Sequence, residues 1–161
     1  MKRIASSVAL ALTLIGCTPP IVQMNSQFNP ADYEKYDKPG TCTMTGQAFL
    51  RTVGGDVKFG AGCRVDLYPL TPYQAERLRM KTMNGVNLEP LDQRVVPYVR
   101  STWADGTGNF EFDHLPAGKY AAYCEIRWQV PNGYIMSWTG GTAFGVIEVA
   151  PGETKKVVVT R

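Results

Sequence analysis

Four cysteines and one histidine carry the most reactive chemistry in this chain of 161 residues. Cys17 lies near the amino end, directly after the small residue Gly16 in Leu14-Ile15-Gly16-Cys17. Cys42, Cys63 and Cys124 each fall on the apolar side of an alternating run. That placement suits a core thiol or a core disulfide, whereas a reactive thiol wants exposure and a positive neighbour. Zinc is not expected, because no Cys-x-x-Cys spacing occurs and His114 is the sole histidine. His114 follows Asp113 at a strand-to-turn corner, and general-base work would need a nucleophile and an orienting group close by. A lone loop histidine reads as a solvated turn residue. Asp105-Gly106-Thr107-Gly108-Asn109 lacks the bidentate acid and ligand spacing of a calcium loop. Gly54-Gly55 and Gly140-Gly141 read as hairpin turns, since neither is followed by a helix start with a lysine. No Gly-x-Ser-x-Gly or His-Glu-x-x-His pattern occurs. The expectation is a non-enzymatic chain with no cofactor and no metal.

Binding chemistry is easier to find. Tyr68, Tyr123, Glu125 and Arg127 all point outward if their segments are strands, and they are expected to share one sheet face, with Tyr98 and Trp138 as further candidates. Exposed aromatics beside charges suit sugar stacking or a protein contact. Ordinary cross-strand pairing is the competing explanation.

The elements that would hold these residues follow from periodicity. Cys42, Met44, Gly46, Ala48 and Leu50 alternate with Thr41, Thr43, Thr45 and Gln47, the period-two signature of a half-buried strand. Further strands are expected over residues 63–67, 97–103, 109–113, 119–128, 134–138, 142–149 and 154–160, separated by Gly-, Pro- and Asn-rich turns. Thr71-Pro72-Tyr73-Gln74 supplies an N-cap, a proline at the first helical position and a capping-box glutamine, so one short helix is expected over residues 74–83. Residues 86–96 are expected to be irregular. The fold class is therefore all-β, an antiparallel sandwich with one short helical insertion.

The amino end reads as a targeting segment. Lys2 and Arg3 form a positive n-region, and residues 4–15 are an apolar run too short to span a ~30 Å hydrocarbon core. Ending on Gly16-Cys17, the segment resembles the lipobox of bacterial lipoproteins. That resemblance implies cleavage between Gly16 and Cys17, diacylation of the Cys17 sulfur and a lipid anchor, for which two or more acyl chains suffice. With Cys17 lipidated, three thiols remain in a compartment that permits disulfides. Three cannot all pair within one chain; one buried disulfide beside one inert core thiol is expected, with Cys63 and Cys124 as the preferred pair. Thr18 is not the aspartate that retains lipoproteins in the inner membrane of enterobacteria, which favours the outer membrane, facing the periplasm. Without residues 1–16 the chain carries 15 basic and 14 acidic side chains. A nucleic-acid partner is thus not expected, nor electrostatic membrane binding. Residues 17–40, punctuated by Pro19, Pro20, Pro30 and Pro39, are expected to be a lipidated N-terminus and flexible tether. Phe28, Tyr33 and Tyr36 leave room for part of it to pack on the domain or a partner.

A second resemblance covers residues 41–161. Gly108-Asn109-Phe110-Glu111-Phe112-Asp113-His114-Leu115-Pro116-Ala117-Gly118-Lys119-Tyr120 resembles the carboxypeptidase regulatory-like domains, which are transthyretin-like (prealbumin-like) β-sandwiches. Thr45-Gly46-Gln47-Ala48 and Gly62-Cys63-Arg64-Val65-Asp66-Leu67 match that family's first two strands, while residues 70–96 are unmatched. The motif speaks for fold and only weakly for function. Transthyretin-like hydroxyisourate hydrolases use several histidines and a C-terminal Tyr-Arg-Gly-Ser. This chain ends Val158-Val159-Thr160-Arg161, so that activity is not carried over. Two functions are left: a non-catalytic module for structural or protein–protein contact, in an envelope or secretion assembly, and a carbohydrate- or peptidoglycan-binding lipoprotein.

Overall fold

Alternation from residue 42 onward becomes a strand because one face can be buried and the other cannot. β2 (Cys42–Arg51) alternates buried and half-exposed residues along its whole length until Arg51. The computed structural model describes residues 20–82 and 87–161. In chain order it contains β1 (Ile21–Val22), β2, β3 (Val57–Phe59), β4 (Arg64–Pro69), α1 (Pro72–Lys81), β5 (Asn87–Leu88), β6 (Arg100–Trp103), β7 (Asn109–Leu115), β8 (Gly118–Asn132), β9 (Ile135–Val149) and β10 (Thr154–Val159).

Two four-stranded sheets make the sandwich. In one, β2 pairs with β10 on one side, while β7 and β3 take successive halves of its other side. The second runs β6-β4-β8-β9. Pairing is antiparallel except for β10 alongside β2, in register from Thr154 with Thr43 to Val159 with Ala48, and the two-residue β1–β5 pair. A bridge between Phe144 and Thr160 joins β9 to the end of the chain. Between the sheets lie Met44, Leu50, Val65, Leu67, Phe110, Phe112 and Ile126, with Phe110 and Phe112 edge-on at 5.9 Å.

The Leu115-Pro116-Ala117-Gly118 turn has a physical reason for its glycine. Gly118 has φ +157°, and a Cβ there would lie 2.7 Å from the Tyr36 hydroxyl. Tyr36 itself is buried and donates to the Lys119 carbonyl at 3.2 Å. The amino-terminal segment is thus not wholly a flexible tether. Within the expected linker 17–40, Pro30–Asp32 and Glu34–Tyr36 form 3-10 turns, and Tyr33 is fully buried between Phe28 (4.9 Å) and Tyr98 (4.8 Å). Burial of Tyr33 and Tyr36, with Phe28 half-buried against Tyr33, offsets the entropy of ordering a proline-rich stretch.

Two further expectations change. The irregular stretch after α1 contains a 3-10 turn at Gln93–Tyr98, capped by the Asp92 carboxylate on the Arg94 amide at 2.9 Å, with Val95 buried. Pro97 sits in that turn, where its missing N–H is tolerated, and β6 starts only at Arg100. Gly140-Gly141 is no hairpin turn: β9 runs unbroken through it, opposite Arg127 and Ile126. Gly140 has φ +128°, and a Cβ there would run into the Ile126 carbonyl, so glycine is what lets the strand pass. Gly54-Gly55 does lie in the turn after β2, and β8 turns into β9 around Gly133.

Tyr33, Tyr73 and Val95 form a second, smaller core with Phe28, Tyr68 and Tyr98 at its margin. The amino-terminal segment, α1 and the stretch up to β6 thereby cover one corner of the outer face of the second sheet.

Candidate functional site

Strand register decides which side chains meet on that outer face. Asp66 lies opposite Tyr123 and Tyr123 opposite Phe144; Glu125 pairs with Thr142, and Gln129 with Trp138. Tyr123, Glu125, Arg127 and Gln129 therefore project outward in a row along β8, with Trp138 in the neighbouring row on β9. Arg64, Asp66 and Tyr68 project the same way from β4. From Thr142 to Trp138 the face extends four residues, roughly 13 Å at ~3.3 Å each.

Charges on this face pair along their own strands. Arg64 Nε donates to Asp66 Oδ1 at 2.8 Å and Arg127 Nε to Glu125 Oε1 at 2.8 Å. Ser101 Oγ donates to Asp66 Oδ1 at 2.6 Å. Such exposed pairs contribute little to stability, about 0–1 kcal/mol each. Their effect is to hold planar donors and acceptors in fixed positions at the surface. Trp138 ends the row 67 % exposed.

At the other end α1 rises over the sheet and makes a cleft of about 500 Å³, lined by Tyr68, Gln74, Arg77, Lys81, Tyr123 and Glu125 among others. Tyr68 and Tyr123 meet edge-on at 5.3 Å on its floor. Burial raises both phenols above their ordinary pKa, so they act as neutral hydroxyls at physiological pH. Lys81 Nζ stands 5.5 Å from the Tyr123 ring centroid. A smaller cavity of about 440 Å³ opens on the far side of Lys81, against Leu78, Phe144 and Arg161.

Four side chains fix α1 in place. Thr71 caps it, accepting from the Gln74 amide at 3.4 Å and donating through Oγ1 to the Tyr33 hydroxyl at 2.9 Å. Glu76 accepts from the Asn25 and Ser26 amides at 3.0 and 2.6 Å. The Ser26 side chain, together with those two amides, holds its carboxyl down at about 2. Arg77 donates to the Glu89 carbonyl at 2.9 Å, and the Asp92 amide donates to the Tyr73 hydroxyl at 3.0 Å. The docked amino-terminal segment therefore helps to shape the cleft.

Tyr68, Tyr123, Glu125 and Arg127 do share one face, with Trp138 as an outlying member. Tyr98 does not belong to it: its ring packs on Tyr33 in the smaller core. Arg64 and Asp66 also belong to the face, and Gln74, Arg77 and Lys81 come to it from α1; alternation marks the first two, whereas nothing in the sequence says which side of α1 faces inward. Trp103 is exposed but lines a separate open groove with Thr45, Glu111 and Lys156.

Cys63 and Cys124 are disulfide-bonded, with Cα atoms 6.3 Å apart, and Cys42 is a buried free thiol. The Cys42 thiol donates to the Ala150 carbonyl at 3.0 Å. Gly16 and Cys17, the expected cleavage and lipidation sites, lie outside the described residues. His114 is exposed at φ +52°, its Nδ1 3.1 Å from an Asp113 carboxylate oxygen. The Asp105 carboxylate accepts from the Thr107 and Asn109 amides at 2.8 and 2.9 Å, a closed turn that holds its pKa at about 2.

No protein-family model matches the chain, and no curated protein matches its sequence. Among solved structures it is similar to a Pseudomonas aeruginosa protein whose proposed role is carbohydrate binding, at 27 % identity and TM-score 0.74, over 84 % of this chain and 99 % of that one. A chlorocatechol 1,2-dioxygenase from Pseudomonas putida aligns at 13 % identity with a TM-score of 0.23, over 92 % of this chain and 69 % of that one, too low to bear on fold or function.

Proposed function

We propose that this chain is a non-catalytic carbohydrate-binding β-sandwich, carried at the outer membrane by lipid on Cys17 and facing the periplasm. One observation carries the binding reading. The outer face of β4, β8 and β9 is open, sets aromatic rings beside fixed charged pairs, and leads from exposed Trp138 into the cleft beneath α1. Sugar rings present an apolar face and a rim of hydroxyls; an aromatic platform flanked by carboxylates and guanidinium groups answers both. The Pseudomonas aeruginosa protein, similar along almost its entire length, supports the same reading.

Affinity electrophoresis of the full chain through soluble polysaccharides and peptidoglycan fragments tests it. Retardation by at least one glycan, weakened about tenfold by Trp138→Ala with an unchanged melting temperature, is the expected result. No retardation by any glycan, or retardation indifferent to Trp138, contradicts it. The anchor has its own test: Cys17→Ser abolishes palmitate labelling and frees the protein from membranes, and unchanged labelling refutes it.

A protein-contact module is the second reading, and the β8–β9 hairpin favours it. Tyr134, Ile135 and Met136 at its tip are 108, 66 and 54 % exposed, an apolar cluster that suits a protein partner. Stoichiometric proteins retained from membranes in mild detergent, without any glycan dependence, would select this reading over the first.

A further inference from the structure

The cleft beneath α1 has a charge asymmetry that the carbohydrate reading alone does not explain. Arg64 has Asp66 and Arg127 has Glu125. Arg77 and Lys81, which also line the cleft, have no carboxylate within salt-bridge distance among the described residues. Arg77 is 9 % exposed, and among the described residues only its Nη1 has protein partners, the Glu89 carbonyl and the Met24 sulfur. A guanidinium so far from water without a counter-charge is costly. Beside it, Gln74 is 2 % exposed and its Nε2 has no hydrogen-bond partner among the described residues. Buried side-chain donors are seldom left unmatched. Arg77 and Lys81 thus converge on a cavity of about 500 Å³ that Gln74 also lines and whose floor is Tyr68 and Tyr123.

We propose that this cleft receives the carboxylate of an acidic sugar, with Arg77 and Lys81 as its donors and the Tyr68–Tyr123 pair against the ring. The proposal rests on the carbohydrate reading and narrows it to uronate-type glycans. Asp66 and Glu125 also line the cavity, but each carboxylate is already bound to its own arginine. Loss of solvent around the Lys81 ammonium, more than the charge of Arg77, lowers the Lys81 pKa. A bound carboxylate supplies both cations with the counter-charge they lack.

Calorimetry of the full chain with matched oligosaccharides tests this. Gluco, galacto and manno trisaccharides are compared as neutral hexoses and as their C6-oxidised uronates, which differ only in a carboxylate. At least one uronate binds tenfold or more tighter than its neutral counterpart, and the preference shrinks as salt rises. Lys81→Gln lowers uronate affinity by a larger factor than neutral affinity and so removes the preference, with the melting temperature unchanged; a preference that survives the substitution overturns the proposal. Arg77→Lys, which keeps the charge but loses the fork, weakens it partially. Equal binding of acid and neutral partners overturns the acidic-sugar proposal and leaves the carbohydrate reading standing. Binding of neither member of any pair overturns both. Inorganic phosphate displacing the uronate completely at equal concentration would show a site for charge alone, without sugar recognition, and also overturns the proposal.

Discussion

Replacing Tyr33 tests whether the amino-terminal segment is part of the domain. Tyr33 is fully buried, stacks on Phe28 at 4.9 Å and Tyr98 at 4.8 Å, and its hydroxyl accepts from Thr71, the residue that caps α1. Truncating a buried aromatic to alanine costs ~3–5 kcal/mol. Tyr33→Phe keeps the ring and deletes one net hydrogen bond, about 1 kcal/mol. At roughly 2–4 °C per kcal/mol for a chain of this size, Tyr33→Ala lowers the melting temperature by roughly 6–20 °C and Tyr33→Phe by roughly 2–4 °C. Calorimetry measures both, and hydrogen exchange locates the effect. The Tyr36 amide, bonded to the Tyr33 carbonyl at 2.8 Å, is protected in the parent and loses protection in Tyr33→Ala. A loss below ~1 kcal/mol, with the Tyr36 amide exchanging freely in the parent, would mean that residues 28–36 are a tether after all.

Phe112→Ala removes a ring packed between the sheets, and chemical denaturation should register ~3–5 kcal/mol; under ~1 kcal/mol, the orientation of β7 is wrong. Cys63→Ser with Cys124→Ser opens a 61-residue separation. The chain-entropy cost is about 4 kcal/mol, and intact-mass thiol counting of the parent should find one free thiol besides Cys17, not three. Glu76 has its folded pKa depressed to about 2, below the ordinary ~4.3. Its contribution is therefore complete above the unfolded pKa and lost as pH falls from about 4 through about 2. Exchange at the Asn25 and Ser26 amides should accelerate across that window, and Glu76→Gln should flatten the response; a profile flat in the parent removes Glu76 as the clamp.

The strands were legible because a buried face imposes period two, and a slip of one residue would turn every apolar side chain outward. Tyr68, Tyr123, Glu125 and Arg127 were placed on one face by that count alone. Counting failed at Gly140-Gly141: a glycine pair looks like a turn, and a turn there breaks the parity that carries Trp138 onto the face with Thr142. The position of α1 was legible from Thr71-Pro72, but its orientation was not. Its inward side is Tyr73, Gln74 and Arg77, so no apolar stripe marks it. The cleft depends on that polar inward side, and nothing in the sequence marks its lining residues Gln74, Arg77 and Lys81. The docked segment hid for a similar reason, since 3-10 turns among prolines have no sustained period and only Phe28, Tyr33 and Tyr36 hint at burial. The departure from antiparallel pairing at β10 was equally hidden, because alternation looks the same beside either kind of neighbour.

The outer face of β4, β8 and β9 as a glycan surface is the central claim, and the tryptophan indole N–H signals report on it directly. Titration of the nitrogen-15-labelled chain with the glycans that retard it in electrophoresis should shift the Trp138 signal, together with backbone amides at Tyr123, Glu125 and Arg127, and leave Trp103 in its separate groove unmoved. Shifts confined to Trp103, or to the hairpin tip at Tyr134–Met136, would contradict the account.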